Sequence, residues 1–127
     1  MSERLLFETD VRIDSLRGRP AAISYLEDPA ETLLISTITV AELFAGVREG
    51  KERTALSAFL SAFESVPVTA AIAERGGLLR RDYGRSHGTG LADALIAATV
   101  EQAQARLITL NDKHFSMLTE IHVPYTR

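Results

Sequence analysis

The chain has 127 residues, 46% hydrophobic and 24% charged, with a formal net charge of −3 and no cysteine. That length suits one domain, 1–127, with a sizeable core, and the absence of cysteine excludes a disulfide framework, a thiolate metal centre and a cysteine nucleophile. The negative balance excludes a protein that coats nucleic acid by bulk charge.

In chain order, short apolar segments alternate with longer segments of helical period, the pattern of βαβ units around a parallel sheet. The first apolar run, Leu5-Leu6-Phe7, is far below the roughly 7–15 residues of a signal peptide, and no stretch approaches a membrane span, so a soluble, cytoplasmic protein is expected. It reads instead as a strand. Pro20 can open a short helix whose stripe of Ala22, Ile23, Tyr25 and Leu26 ends at Pro29. Leu33 to Ser36 is the second strand, and Thr39 with Glu42 forms a T-x-x-E capping box at the start of the helix that follows. Leu56, Phe59, Leu60 and Phe63 repeat at helical spacing between Lys51 and Glu64. Val66 to Val68 is a third strand, and Ile72, Leu79 and Tyr83 mark a helix over Thr69 to Tyr83. Arg85-Ser86-His87-Gly88-Thr89-Gly90 reads as a loop before a helix from Leu91 to about Gln104. Leu107 to Thr109 and Ile121 to Val123 complete five strands, mostly unbroken Leu, Ile and Val, as expected where both faces are covered. Arg75, Arg80, Arg81 and Arg85 form either a solvated helix face or a local patch for RNA. Leu43, Phe44, Phe59, Leu60 and Phe63 are an apolar surplus that points to self-association unless the core absorbs it.

Several polar residues fall where a strand ends or a helix begins, which is where open parallel sheets bind ligands. Glu8 directly follows the first strand. Thr9 or Asp10 can cap a following helix, which leaves Glu8 unexplained. Glu42 has the capping role as a sufficient structural explanation, and a metal or catalytic role is compatible with it. Asp93 occupies the first turn of the apolar segment Leu91-Ala92-Asp93-Ala94-Leu95-Ile96, where partial burial of a carboxylate is costly without a partner such as a cation. Asn111, Asp112 and His114 follow the fourth strand in a segment that a simple turn would also explain. Gathered at one sheet edge, these oxygen donors suit a hard divalent cation, Mg²⁺ or Mn²⁺, and the chemistry such a centre supports is phosphodiester hydrolysis.

The ordered set Leu6-Phe7-Glu8-Thr9-Asp10, Ser36-x-x-Thr39-x-x-Glu42-Leu43, Leu91-x-Asp93-Ala94-Leu95-Ile96-Ala97-Ala98 and Thr109-x-Asn111-x-x-His114-Phe115 resembles the PIN domain of VapC toxins over essentially the whole chain. The resemblance implies a three-layer α/β/α fold with a five-stranded, mainly parallel sheet and a Mg²⁺-dependent endoribonuclease in which Mn²⁺ can substitute. Its metal ligands would be Glu8, Glu42 and Asp93, with Asn111 and Asp112 also in the catalytic set. It further implies RNA as substrate, a VapB-type antitoxin as partner, and a homodimer or toxin–antitoxin hetero-oligomer. Two departures stand out. Glu8 replaces the family's Asp, displacing the carboxylate by a methylene where catalytic groups must be held within roughly 0.5 Å, and Arg12 replaces an apolar residue. Both lower the metal affinity and turnover expected. The competing reading is a catalytically impaired PIN-fold module that binds its antitoxin without cleaving RNA. A phospho-acceptor receiver domain is disfavoured: it needs an acid after the middle strand and a lysine after the last, where this chain has Thr69-Ala70-Ala71 and Pro124-Tyr125.

Overall fold

Strands β1 (Arg4–Phe7), β2 (Thr32–Ser36), β3 (Glu64–Val66), β4 (Arg106–Ile108) and β5 (Ile121–His122) pair in the order β3-β2-β1-β4-β5, every pair parallel. This computed structural model describes residues 4–8, 32–109, 112–115, 117–118 and 121–122. The helix expected between Pro20 and Pro29 lies outside the described residues, as do Thr9, Asp10, Arg12 and Asn111. Four helices are described: α1 (Thr37–Ala45), α2 (Lys51–Leu60), α3 (Ala70–His87) and α4 (Leu91–Ala103), with a 3-10 turn at Asp112–Phe115.

The unbroken apolar run of β1 is explained by its central place. Leu5, Leu6 and Phe7 are all buried, and successive strand side chains point to opposite faces. Leu6 therefore joins its register partners Leu34 and Leu107 on one face, against Ile72 and Leu79 of α3 and Ala94 and Ala97 of α4. Leu5, Phe7 and Ile108 form the opposite face. Ile35 packs on Leu43 of α1 and Leu56 of α2, and Phe63 joins both groups, edge-on to Phe7 with ring centroids 5.8 Å apart. Helices thus cover both sides of the sheet in three layers. Each buried β1 side chain contributes about 1.5–3 kcal/mol through burial.

Several expectations need correction. The third strand is displaced toward the N-terminus, sharing only Val66 with the expected Val66 to Val68, because Pro67 has no N–H for the ladder. Glu64 belongs to that strand, so α2 stops at Leu60 with Ser61 as its C-cap. The segment read as a loop from Arg85 is helical through His87, since nothing breaks the helix before Gly88, which closes it at φ +67°. The apolar surplus is largely absorbed: Leu43 is buried, Phe44, Leu60 and Phe63 pack around it, and the Phe59 ring lies 5.4 Å from that of Phe63. That surplus is therefore no argument for self-association. No helix among the described residues is long and apolar enough to cross a membrane.

Helices α3 and α4 pack against each other, and Gly76 sets how closely. A Cβ at Gly76 would stand 2.6 Å from Leu95 Cδ2 and 3.1 Å from Leu95 Cα, whereas one at the neighbouring Gly77 would meet nothing within 4 Å. Gly76→Ala is expected to destabilise the fold by about 1–3 kcal/mol through overpacking, less the helix-propensity gain. Gly77→Ala should stabilise it by about 0.5–1 kcal/mol. Urea unfolding of the two variants checks this, and equal effects would refute the close-packing role of Gly76.

Candidate active site

The strand order defines where a site can form. From the central β1 the chain winds outward through β2 to β3, then returns to place β4 on the other side of β1. The connections leaving β1 and β4 thus diverge, and in open parallel sheets such a switch point opens a crevice at the strands' carboxyl ends. Glu8 is the first residue beyond β1, half-buried, with its backbone N–H donating to the Ile108 carbonyl of β4 at 3.0 Å. That bond fixes Glu8 at the mouth of the crevice. Thr109, wholly buried, leaves β4 beside it, and the 3-10 turn opening at Asp112 follows.

Glu42 arrives from β2. Contrary to the capping-box expectation, α1 begins at Thr37, and its cap is Ser36, whose Oγ accepts from the Ile38 N–H at 3.1 Å. Thr37 Oγ1 accepts from the Val68 N–H at 3.3 Å, tying this corner to the chain beyond β3. Ser36 won because its position at the very end of β2 lets the helix start three residues earlier. Thr39 therefore sits inside the first turn, fully buried, and its Oγ1 has no hydrogen-bond partner among the described residues. Glu42 lies one helical turn further on and is exposed, so capping does not account for it.

Asp93 lies in the first turn of α4, half-buried as expected. The N-cap, Gly90, supplies no side chain to that end of the helix, so the carboxylate of Asp93 is the acid placed to meet the helix dipole. α1 and α4 touch, which makes neighbours of the helices that carry Glu42 and Asp93. Among the described residues, however, no three His, Asp or Glu side chains stand together as a ready ion-binding group. The elements carrying Glu8 and Glu42 leave the same edge of the sheet. Asn111 lies outside the described residues, and Asp112 is placed only by its backbone. The donors fit a hard cation in kind: carboxylate and hydroxyl oxygens, no thiolate, and one buried hydroxyl with no partner among the described residues.

The arginine cluster on α3 is partly neutralised. Arg75 forms a forked pair with Glu101, at 2.9 and 3.3 Å, and that hydrogen bond raises its pKa. Arg81 pairs with Asp82 at 2.9 Å, holding the Asp82 carboxyl below its ordinary value. Arg80 and Arg85 have no ion pair among the described residues, which reduces the basic patch to two positions.

The chain matches the PIN domain over residues 5–120, and it belongs to that family. It is 43% identical over 124 residues to Ribonuclease VapC19 of Mycobacterium tuberculosis, covering 94% of this chain and 98% of that protein. Ribonuclease VapC10 of the same organism is 40% identical over 124 residues, covering 95% and 92%. Among solved structures, a toxin–antitoxin complex from Klebsiella pneumoniae superposes with a TM-score of 0.84 at 32% identity, covering 97% of this chain and 99% of that one.

The signals missed in the sequence are hydroxyls. Thr39 and Thr109 are both wholly buried, and a threonine kept inside apolar surroundings, as in Leu107-Ile108-Thr109, was the available clue. Ser36→Ala should lower stability by about 0.5–2 kcal/mol through loss of the cap, while Glu42→Gln should stay within about 0.5 kcal/mol, as an exposed non-cap residue does. Thermal denaturation of both checks the assignment; a large loss in Glu42→Gln would restore the capping box.

Proposed function

We propose that the chain is the toxin of a type II toxin–antitoxin pair, an endoribonuclease that hydrolyses RNA with Mg²⁺, Mn²⁺ substituting. The observation that carries this reading is the 43% identity to a protein named a ribonuclease, spanning 94% of this chain and 98% of that one. The placement of Glu8 at the switch point, with Asp93 in the first turn of a helix packed on α1, supports it.

In this reading Glu8, Glu42 and Asp93 hold the ion, with Asn111 and Asp112 completing the set from the segment after β4. A bound divalent cation supplies an activated water and steadies charge on the phosphorus centre. Glu8 would reach the ion from a backbone anchored through its N–H to β4. Arg80 and Arg85 provide transient contacts for the RNA backbone. An antitoxin of the VapB kind is the proposed partner, with the toxin as a homodimer or in a toxin–antitoxin hetero-oligomer; the Klebsiella pneumoniae neighbour is described as a toxin–antitoxin complex. The setting is the cytosol, where RNA is found.

One observation favours the impaired alternative, in which the chain binds antitoxin without cleaving. The glutamate at position 8 is one methylene longer than the aspartate that the resemblance expects there. Cleavage of a labelled RNA by the wild type, Glu8→Asp and Asp93→Ala, with Mg²⁺ and with Mn²⁺, decides between them. Glu8→Asp is expected to raise the rate, on the order of tenfold, because a shorter acid with less rotamer freedom holds the ion in better register. Asp93→Ala should abolish cleavage by removing a carboxylate ligand, with melting curves controlling for its helix-dipole contribution of about 0.3–1 kcal/mol. An inactive wild type that stays inactive as Glu8→Asp favours the binding-only module.

A further inference from the structure

We propose that Thr39 is a positioning residue of the acidic site, its buried hydroxyl donating a hydrogen bond to the Glu42 carboxylate when that group takes its place at the divalent cation. The inference rests on the ribonuclease reading above.

Hydroxyls elsewhere in this part of the fold are used. Ser36 and Thr37 accept backbone N–H groups at the β2–α1 corner, and Thr69 caps α3. Thr99 is the closest comparison: fully buried in a helix, it donates to the Leu95 carbonyl four residues back at 2.7 Å. Thr39 is as deeply buried and makes no such bond. A valine of the same shape would fill the space without the desolvation cost of an unpaired hydroxyl, so packing alone does not explain a threonine here.

Position supplies the acceptor. Residues three apart on a helix stand with their Cβ atoms about 5–6 Å apart, which puts the Glu42 carboxylate within reach of Thr39 Oγ1 after a rotamer change. Glu42 is exposed in this structure, so the change turns it inward from solvent. Moving a carboxylate toward other acids is unfavourable unless a cation and a donor meet it. Thr39 provides the donor, on the helix that packs on the one bearing Asp93.

The test compares wild type, Thr39→Val and Thr39→Ser by thermal melting in EDTA and across a Mn²⁺ titration, with kcat and KM for RNA cleavage alongside. In EDTA, Thr39→Val is expected to melt about 2–8 °C higher, because the unpaired hydroxyl is gone. Its Mn²⁺ affinity, read from the melting shift, should fall about 10–100-fold, the usual effect of removing a group that orients a metal ligand. The loss in cleavage should appear in kcat rather than KM, and Thr39→Ser should restore both. A lower melting point for Thr39→Val in EDTA would mean that the hydroxyl already has a partner, and unchanged Mn²⁺ affinity would mean that it is idle; either overturns the proposal. Absence of any Mn²⁺ response in the wild type would overturn the cation reading and this one together, whereas a normal wild-type response matched by Thr39→Val overturns this one alone.

Discussion

The burial of β1 on both faces is the constraint from which the rest of the structure follows. Three consecutive side chains, Leu5, Leu6 and Phe7, are removed from water, and a strand buried on both sides must lie inside a sheet with helices above and below it. Among the described strands the chain adds the later ones outward from it. The chain does so on one side through β2 and β3, then on the other through β4 and β5. The switch point beside β1 is therefore a consequence of where the apolar run sits, and the residue that emerges there is the one that follows the run. Glu8 owes its position to the end of the core rather than to any loop conformation.

This explains why so much of the architecture was legible. Strand existence depends on apolar runs long enough to bury, and helix existence on apolar spacing; both are written locally in Leu5-Leu6-Phe7 or in Leu56, Phe59 and Leu60. Boundaries depend on competition among near-equal local choices. At the β2–α1 corner Ser36 and Thr39 were both able to cap, and each cap is worth only about 0.5–2 kcal/mol, so continuity with the buried strand decided in favour of Ser36. At β3 the missing N–H of Pro67 outweighed the apolar character of Val68. In α3 the polar residues after Arg85 read as loop, yet polarity on an exposed helix face is no obstacle to helix, and only Gly88 with its left-handed backbone ends the element.

The candidate site was legible in a different degree. That Glu8, Glu42 and Asp93 leave elements meant to meet at one edge follows from topology, which the alternation of segments already implies. Where their carboxylates come to rest is a matter of electrostatics among groups distant in sequence. The same limit applies to the arginines: four cluster along α3, but Glu101, twenty-six residues from Arg75, engages one of them and Asp82 another. Only the fold shows which charges remain for a partner.

Magnitudes set the terms on which several acids can share one edge. Two carboxylates about 4 Å apart near a protein surface repel by about 4 kcal/mol at an effective dielectric of 20, and a third adds two more such pairs. Turning a glutamate out to solvent costs far less, since fixing its rotamers in the first place costs at most about 2 kcal/mol. Long side chains should therefore be the ones that yield, and the exposed Glu42 fits that ordering, with the shorter Asp93 remaining half-buried in the first turn of α4. Glu8 lies between these cases. Its backbone is held by the N–H bond to β4, and its side chain is one methylene longer than an aspartate's. Acids gathered at one edge would hold together only with the positive charge and hydrogen-bond donors that the surrounding elements bring to them.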